Sequence, residues 1–409
     1  MRRSSTLLRG ATLGDGRVVD VLLEGATIAE VGPSLTARPD DDVHDLAGWL
    51  LLPAPAEPHA HLDKALTADL VGNPHGDLMG AIIGWDSVCG ALTVEDFARR
   101  ARAAALRLLA NGCTAIRSHV NVGGPSGLRA VEALVRVKHE LTPVMDVQLV
   151  ALIGSPTDPI LLRDALDMGV DIVGGCPHLD IDPIGCLDTT VAVAAERGIS
   201  VDLHMDETLD PSALWVRDLA RLVGPPTTRW APGVTVAASH CVSHGMQDEA
   251  TQHAVAEELA IADVAVVTLP QTNLYLQGRG VAKAQPRGLT GLHALLEAGV
   301  TVAGGADNIQ DPFNTVGRAD PLETAALLVM AGHLSPAAAY DAVTSASRRA
   351  MGLPPVTVGP GSPAELLAVR APCLRAAIAD APADRMVFAK GRLVAHTEAT
   401  QRLLLPVDA

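Results

Sequence analysis

From Pro53 to about residue 352, apolar runs of about 5 to 8 residues alternate with amphipathic stretches of about 10 to 16. That rhythm predicts repeated βα units around a parallel sheet. The apolar runs are "LLPAPAEPHAH", "TAIRSHV", "DVQLVAL", "DIVGGCPH", "SVDLHMDE", "TVAASHC", "AVVTLPQTN" and "TVAGGADN". Eight strands with intervening helices over about 300 residues fit a (β/α)8 TIM barrel. An open doubly wound sheet fits less well, because no G-x-G-x-x-G follows the first strand. The amphipathic stretches carry helix punctuation. "DPILLRDALDMG" predicts an N-cap at Asp158, Pro159 at the first helical position and Gly169 past the end, and "DPSALWVRDLARLVG" repeats this grammar with Asp210, Pro211 and Gly224.

Both ends of the chain break the rhythm. The stretch "RVVDVLLEGATIAEVG" alternates around Gly and Asp as a β-meander does, and the tail from residue 356 returns to short strands and turns. The expected organisation is a composite β-sandwich domain of residues 1–52 and 356–409, with a barrel of residues 53–355 inserted between its halves. No repeat of 20 to 50 residues beyond the βα rhythm is present.

Composition narrows the function. At 409 residues and 48% hydrophobic content the chain can bury a sizeable core. A net charge of −16 with only 2% aromatic residues supplies neither a cationic track nor a stacking platform, so nucleic acid is not an expected partner. The six cysteines form no C-x-x-C pair, which predicts reduced thiols and no zinc knuckle. The opening residues hold two arginines but no apolar run of signal-peptide length. No stretch approaches the roughly 20 apolar residues of a membrane span. The expected address is the cytoplasm.

The chemistry sits at the expected strand ends. His59 and His61 lie two apart in the first strand and project to one face. At the C-terminal end of a barrel strand that face is the mouth, where barrel enzymes keep their active sites. The fifth strand ends in His204, followed by Asp206 and Glu207. The sixth ends in Ser239 and His240, and the eighth in Asp307 and Asn308. A lone histidine in an apolar run is commonly a hydrogen-bonded core residue. Imidazoles and a carboxylate at the ends of separate strands are a set of donors for one divalent metal, zinc or ferrous iron.

These residues resemble the amidohydrolase superfamily and, within it, the cytosine deaminase group, over almost the whole chain. "EPHAHLDK", "CPHLD", "HMDE", "SHC" and "ADNIQDPF" are similar to that group's strand-end signatures. "LYLQGRG" with "PRGLTGLHALLEAGV" is similar to the loop and helix between its seventh and eighth strands. The resemblance implies that His59, His61, His204 and Asp307 bind one metal ion, zinc or iron. The fourth strand lacks the lysine that bridges two metals in many superfamily members, so a mononuclear site is expected. His178 and His119 are expected to support the pocket wall. The implied activity is hydrolytic deamination of an amino-substituted N-heterocycle. His240 and Asp307 would hold and deprotonate the attacking water, and Glu207 would act as the general acid. Asp206 would brace the turn.

The chain departs from the group's pattern at the substrate contacts. Gly154 stands where those enzymes carry a glutamine, and Asn308 and Phe313 stand for an aspartate and a tryptophan. A heterocycle edge left unpaired in a buried site costs on the order of 1 to 3 kcal/mol. The substitutions therefore argue against cytosine and for a bulkier or differently decorated small-molecule ring, with Gly154, His178, Asn308 and Phe313 as substrate contacts. Asn308 followed by Ile309 also resembles the N-isopropylammelide hydrolases of the group, the alternative reading. From another class, an inactive scaffold would be expected to have lost ligands that are all present here. A dihydroorotase-like activity is disfavoured by the missing lysine. A homo-oligomer is compatible with the resemblance.

Overall fold

In the computed structural model, which describes residues 5–225, 230–231 and 233–403, the strands form two separate sheets. The outer ends of the expected β-unit, residues 1–4 and 404–409, lie outside the described residues. The chain opens with β1 (Thr6–Thr12), β2 (Val18–Glu24), β3 (Thr27–Gly32), β4 (Asp42–Asp45) and β5 (Leu50–Pro53). The barrel strands follow as β6 (Ala56–Ala60), β7 (Ala115–Val122), β8 (Asp146–Ile153), β9 (Ile172–Gly174), β10 (Val201–Met205), β11 (Val236–His240), β12 (Val264–Thr268) and β13 (Val302–Gly304). The last are β14 (Leu366–Val369), β15 (Arg385–Ala389) and β16 (Arg392–Thr397).

Strands β6 to β13 pair in parallel and in sequence order. The fold is an α/β barrel of the (β/α)8 kind. It closes at the mouth, where a bridge joins Ala60 to Asp307, with Asp307 N donating to His59 O (3.0 Å) and His61 N to Asp307 O (3.2 Å). The first and last strands are thus stitched together by three residues of the predicted metal site. Below them Glu57 takes backbone N–H bonds from Ala306 and His59, and burial pushes its carboxyl up to about 8.

The remaining strands form a mixed sheet in the order β16-β15-β14-β5-β1-β2-β3, with β4 on β1. Its centre is the antiparallel pair β5 with β14, in which Leu50 faces Val369 and Leu52 faces Leu367. Residues more than 300 positions apart therefore share one ladder, and the two chain ends build one core around Trp49, Leu51, Leu366 and Phe388.

Local sequence explains most element boundaries. Asp158 caps the helix Pro159–Asp167 by accepting from Ile160 N and Leu161 N, and Gly169 follows with φ +111°. The strand β9 ends in glycine because neighbouring strands leave no room. A Cβ at Gly174 would lie 2.5 Å from a Val150 methyl and 2.9 Å from the Asp202 carbonyl. The second punctuated stretch departs from expectation. Asp210 accepts from Ser212 N in a turn, and the helix begins only at Val216. Its free N–H groups are met from a distance: Asp206 accepts from Trp215 N (3.1 Å) and Val216 N (3.0 Å). A carboxylate after β10 thus outcompetes the local Asp-Pro signal, in keeping with the bracing role expected of Asp206.

Candidate active site

The mouth of the barrel gathers polar side chains that the core would otherwise exclude. His59, His61, His119, His204, His240, Glu207 and Asp307 are all buried. Burial, reinforced by neighbouring imidazoles and cationic side chains, pushes His59, His61, His119 and His204 well below the usual histidine range. These rings are neutral near pH 7 and each keeps one lone pair.

Three lone pairs meet one carboxylate. His204 Nε2 lies 3.2 Å from His59 Nε2 and 3.1 Å from His61 Nε2, while Asp307 Oδ1 lies 3.6 Å and 3.3 Å from those two nitrogens. A tetrahedral cation with ligand distances near 2.0 to 2.1 Å has donor separations of about 3.3 Å. Hydrogen bonding among the rings would leave Asp307 bare, since both its oxygens are buried without a hydrogen-bond partner. A cation would take the three ring nitrogens and Asp307 Oδ1, so the residues present fit the divalent metal expected from the sequence. His119 is a further nitrogen donor close to His59 and His204. Its ring, however, stacks on His59 with centroids 3.9 Å apart and planes at 28°. His119 does not line the cavity above the cluster.

A buried relay sets the tautomer of His59. Arg117 donates to Asp202 Oδ2 (2.8 Å), Ser239 Oγ donates to Asp202 Oδ1 (3.0 Å), and His59 Nδ1 sits 2.8 Å from Ser239 Oγ. With its hydroxyl proton on Asp202, Ser239 accepts from His59 Nδ1–H and leaves Nε2 bare for a ligand. Replacing Ser239 with Ala is expected to weaken zinc binding about 10- to 100-fold without unfolding the protein, as read by competition with a chelating dye.

The remaining catalytic candidates face the same point. His240 Nδ1 lies 3.1 Å from Asn273 Oδ1 and must donate to it, so its Nε2 carries a lone pair, 3.9 Å from Asp307 Oδ2. Burial lowers the His240 pKa to about 3. Glu207 Oε1 lies 3.7 Å from His240 Nδ1, and burial together with the charge of Asp307 raises the Glu207 carboxyl well above the ordinary range. Both His240 (φ +71°) and Asp307 (φ +64°) occupy the left-handed region, a backbone cost borne where their side chains must turn into the mouth.

A cavity of about 380 Å³ opens over this cluster. Gly154, Asn308 and Phe313 line it together with His61, His204, Glu207, His240 and Asp307. Asn308 is engaged on both amide atoms, accepting from Thr272 Oγ1 and donating to Asp311 Oδ2. His178 is outside the lining and lies against the site from behind, with Nδ1 3.3 Å from the His204 carbonyl and its pKa lowered to about 4 by burial. Among the lining residues that sequence reasoning did not single out are Lys64, Trp85 and Asn121. Lys64 stands inside the quoted first-strand signature, but nothing local marks it as facing the cavity.

A family model described as "Amidohydrolase family" matches residues 67–395. A pterin deaminase of Rhizobium rhizogenes is 30% identical over 390 residues, covering 92% of this chain and 87% of that protein. The crystal structure of 5-methylcytosine deaminase from Klebsiella pneumoniae liganded with 5-fluorocytosine is similar at a TM-score of 0.85 and 27% identity, covering 97% of this chain and 99% of that one. The N-isopropylammelide isopropylaminohydrolase from Burkholderia multivorans is similar at a TM-score of 0.83 and 29% identity, covering 96% and 99%.

Proposed function

Because the chain belongs to the amidohydrolase family, whose members are metal-dependent hydrolases, we propose that it deaminates a bicyclic amino-oxo heterocycle of the pterin kind. It is a hydrolase of C–N bonds and a hydrolytic deaminase of N-heterocycles. The observation that carries the finer reading is the open wall at Gly154. A Cβ there would meet nothing nearer than the Val122 carbonyl at 4.0 Å, beside a cavity large enough for a fused ring. The pterin deaminase relative, aligned over most of both chains, supports the same choice.

His59, His61, His204 and Asp307 would hold one divalent cation, zinc or ferrous iron. Such a cation, when bound, lowers the pKa of water from 15.7 toward 7 and so supplies a nucleophile at neutral pH. The chain's own groups manage the protons. His240, neutral and with its Nε2 free, accepts the proton of the attacking water. Glu207, its carboxyl pushed well above the ordinary range by burial, donates its proton to the ring nitrogen beside the attacked carbon. Water adds across the C=N bond, the exocyclic amine takes the proton held by His240 and leaves as ammonia, and the hydroxyl on the carbon returns its proton to Glu207 as it becomes an oxo group.

Ammonia release distinguishes the substrates. With zinc-loaded and iron-loaded protein in parallel, kcat/KM for pterin is expected to exceed that for cytosine, and that for amine release from N-isopropylammelide, at least tenfold. Cytosine as the best substrate would overturn the reading. Gly154→Gln fills the open wall, and overpacking of about 1 to 3 kcal/mol corresponds to about a 10- to 100-fold loss with pterin, while cytosine turnover holds or rises.

Six free thiols support a cytoplasmic location. Among the described residues no helix is long and apolar enough to cross a membrane.

A further inference from the structure

Among the described residues Lys64 is the one lysine or arginine lining the cavity. It is 4% exposed, and the loop that carries it is tied down: Lys64 N donates to Asp63 Oδ1 and to the His61 carbonyl, and Arg100 holds the carbonyls of Asp63 and Ala65. Its Nζ lies 2.8 Å from Asn121 Oδ1, 3.1 Å from His61 Nδ1 and 3.4 Å from Asp63 Oδ2. The rings of Trp85 and Phe313 flank it, with centroids at 5.9 and 6.0 Å.

The contact with His61 changes when the site is loaded. An imidazole that gives its Nε2 lone pair to a cation carries its proton on Nδ1 and becomes a donor there. A lysine ammonium has three donors and no acceptor. The 3.1 Å contact is then donor against donor, and one Nζ–H bond must turn to another acceptor. Asn121 and Asp63 keep the other two, and the space that remains is the cavity.

We infer that Lys64, braced by Asn121 between Trp85 and Phe313, donates this hydrogen bond to a ring carbonyl oxygen of the substrate. Its place in the barrel gives the orientation. Lys64 follows β6 and Glu207 follows β10, four strands away in an eight-stranded barrel, so the two side chains enter the mouth from opposite sides. The heterocycle is anchored by its oxo edge at Lys64 and presents its amino-bearing carbon toward Glu207 and His240. This inference rests on the reading of the cavity as a heterocycle site.

Equilibrium binding of product-like ligands tests it without turnover. Lumazine carries the second ring carbonyl and pteridin-2-one lacks it; for a ring of the cytosine kind, whose anchoring carbonyl is at C2, uracil and pyrimidin-4-one form the matching monocyclic pair. Zinc-loaded wild-type protein is expected to bind the member with the extra carbonyl about 10- to 100-fold more tightly by calorimetry, the range of one hydrogen bond to a charged group. Lys64→Met is expected to abolish the ratio, with zinc content per chain unchanged, and Lys64→Arg to retain part of it. A ratio that survives Lys64→Met overturns the inference. So does an equal weakening of both ligands with loss of zinc, which marks a purely structural lysine. Wild-type binding of neither pteridine would reject the bicyclic assignment alone; the monocyclic pair then decides Lys64 by the same ratio, and its absence there overturns the inference too.

Discussion

Glu207→Gln is expected to lower kcat about 100- to 10,000-fold while leaving the zinc content and the thermal midpoint near those of the parent. Gln preserves the size and one acceptor of the side chain and removes only the transferable proton. The position sets up the effect. Glu207 follows β10 by two residues, is 5% exposed, and has its backbone carbonyl held by Gln277 Nε2 at 3.3 Å. Burial first, and the charge of Asp307 second, make ionisation unfavourable and push the carboxyl well above the ordinary carboxylate range. As the proposed general acid, Glu207 works in its protonated form. Activity of the parent enzyme therefore declines as pH rises through the raised pKa of Glu207, and the glutamine variant shows a pH profile without that alkaline limb. Near-parental turnover in the variant would remove Glu207 from the reaction.

His204→Ala is expected to abolish both metal retention and turnover. His204 Nε2 is the atom on which the other two imidazole nitrogens converge, at 3.2 and 3.1 Å. Removing it takes away one of four donors and leaves Asp307 facing a void. The loss should exceed the roughly 10- to 100-fold set by an outer partner such as Ser239. A second readout separates ligation from chemistry. A cation that binds only the folded state raises stability by about 4 kcal/mol at a thousandfold excess over Kd, so added zinc raises the melting temperature of the apo wild type. His204→Ala should show no such rise. A variant that retained stoichiometric zinc and the thermal shift would disprove the assigned ligand set.

Much of this molecule is readable from its sequence because the governing rules are local. Eight apolar runs separated by capped amphipathic stretches specify a parallel barrel, since a strand buried on both faces must be apolar and its crossover must be a helix. The spacing of His59 and His61 places both on one face through the two-residue period of a strand. The positions of His204, His240 and Asp307 at run ends mark them as mouth residues. The join of β5 to β14, across more than 300 residues, was legible only as a return of β character in the tail.

What the tertiary structure decided is everything that depends on partners distant in sequence. No rule of spacing connects Arg117, Asp202 and Ser239 to the proton on His59, because the relay runs across β7, β10 and β11. The helix after Asp210 starts at Val216 because Asp206, held after β10, supplies its cap. Lys64 reads in sequence as a residue trailing a metal motif, and becomes a cavity group only when Asn121, Trp85 and Phe313 close around it from three other segments. The chain alone determined which atoms could bind a cation and on which face they lie. Folding determined which protons those atoms carry and the shape of the cavity above them, because both are set by contacts that form only once distant strands are side by side.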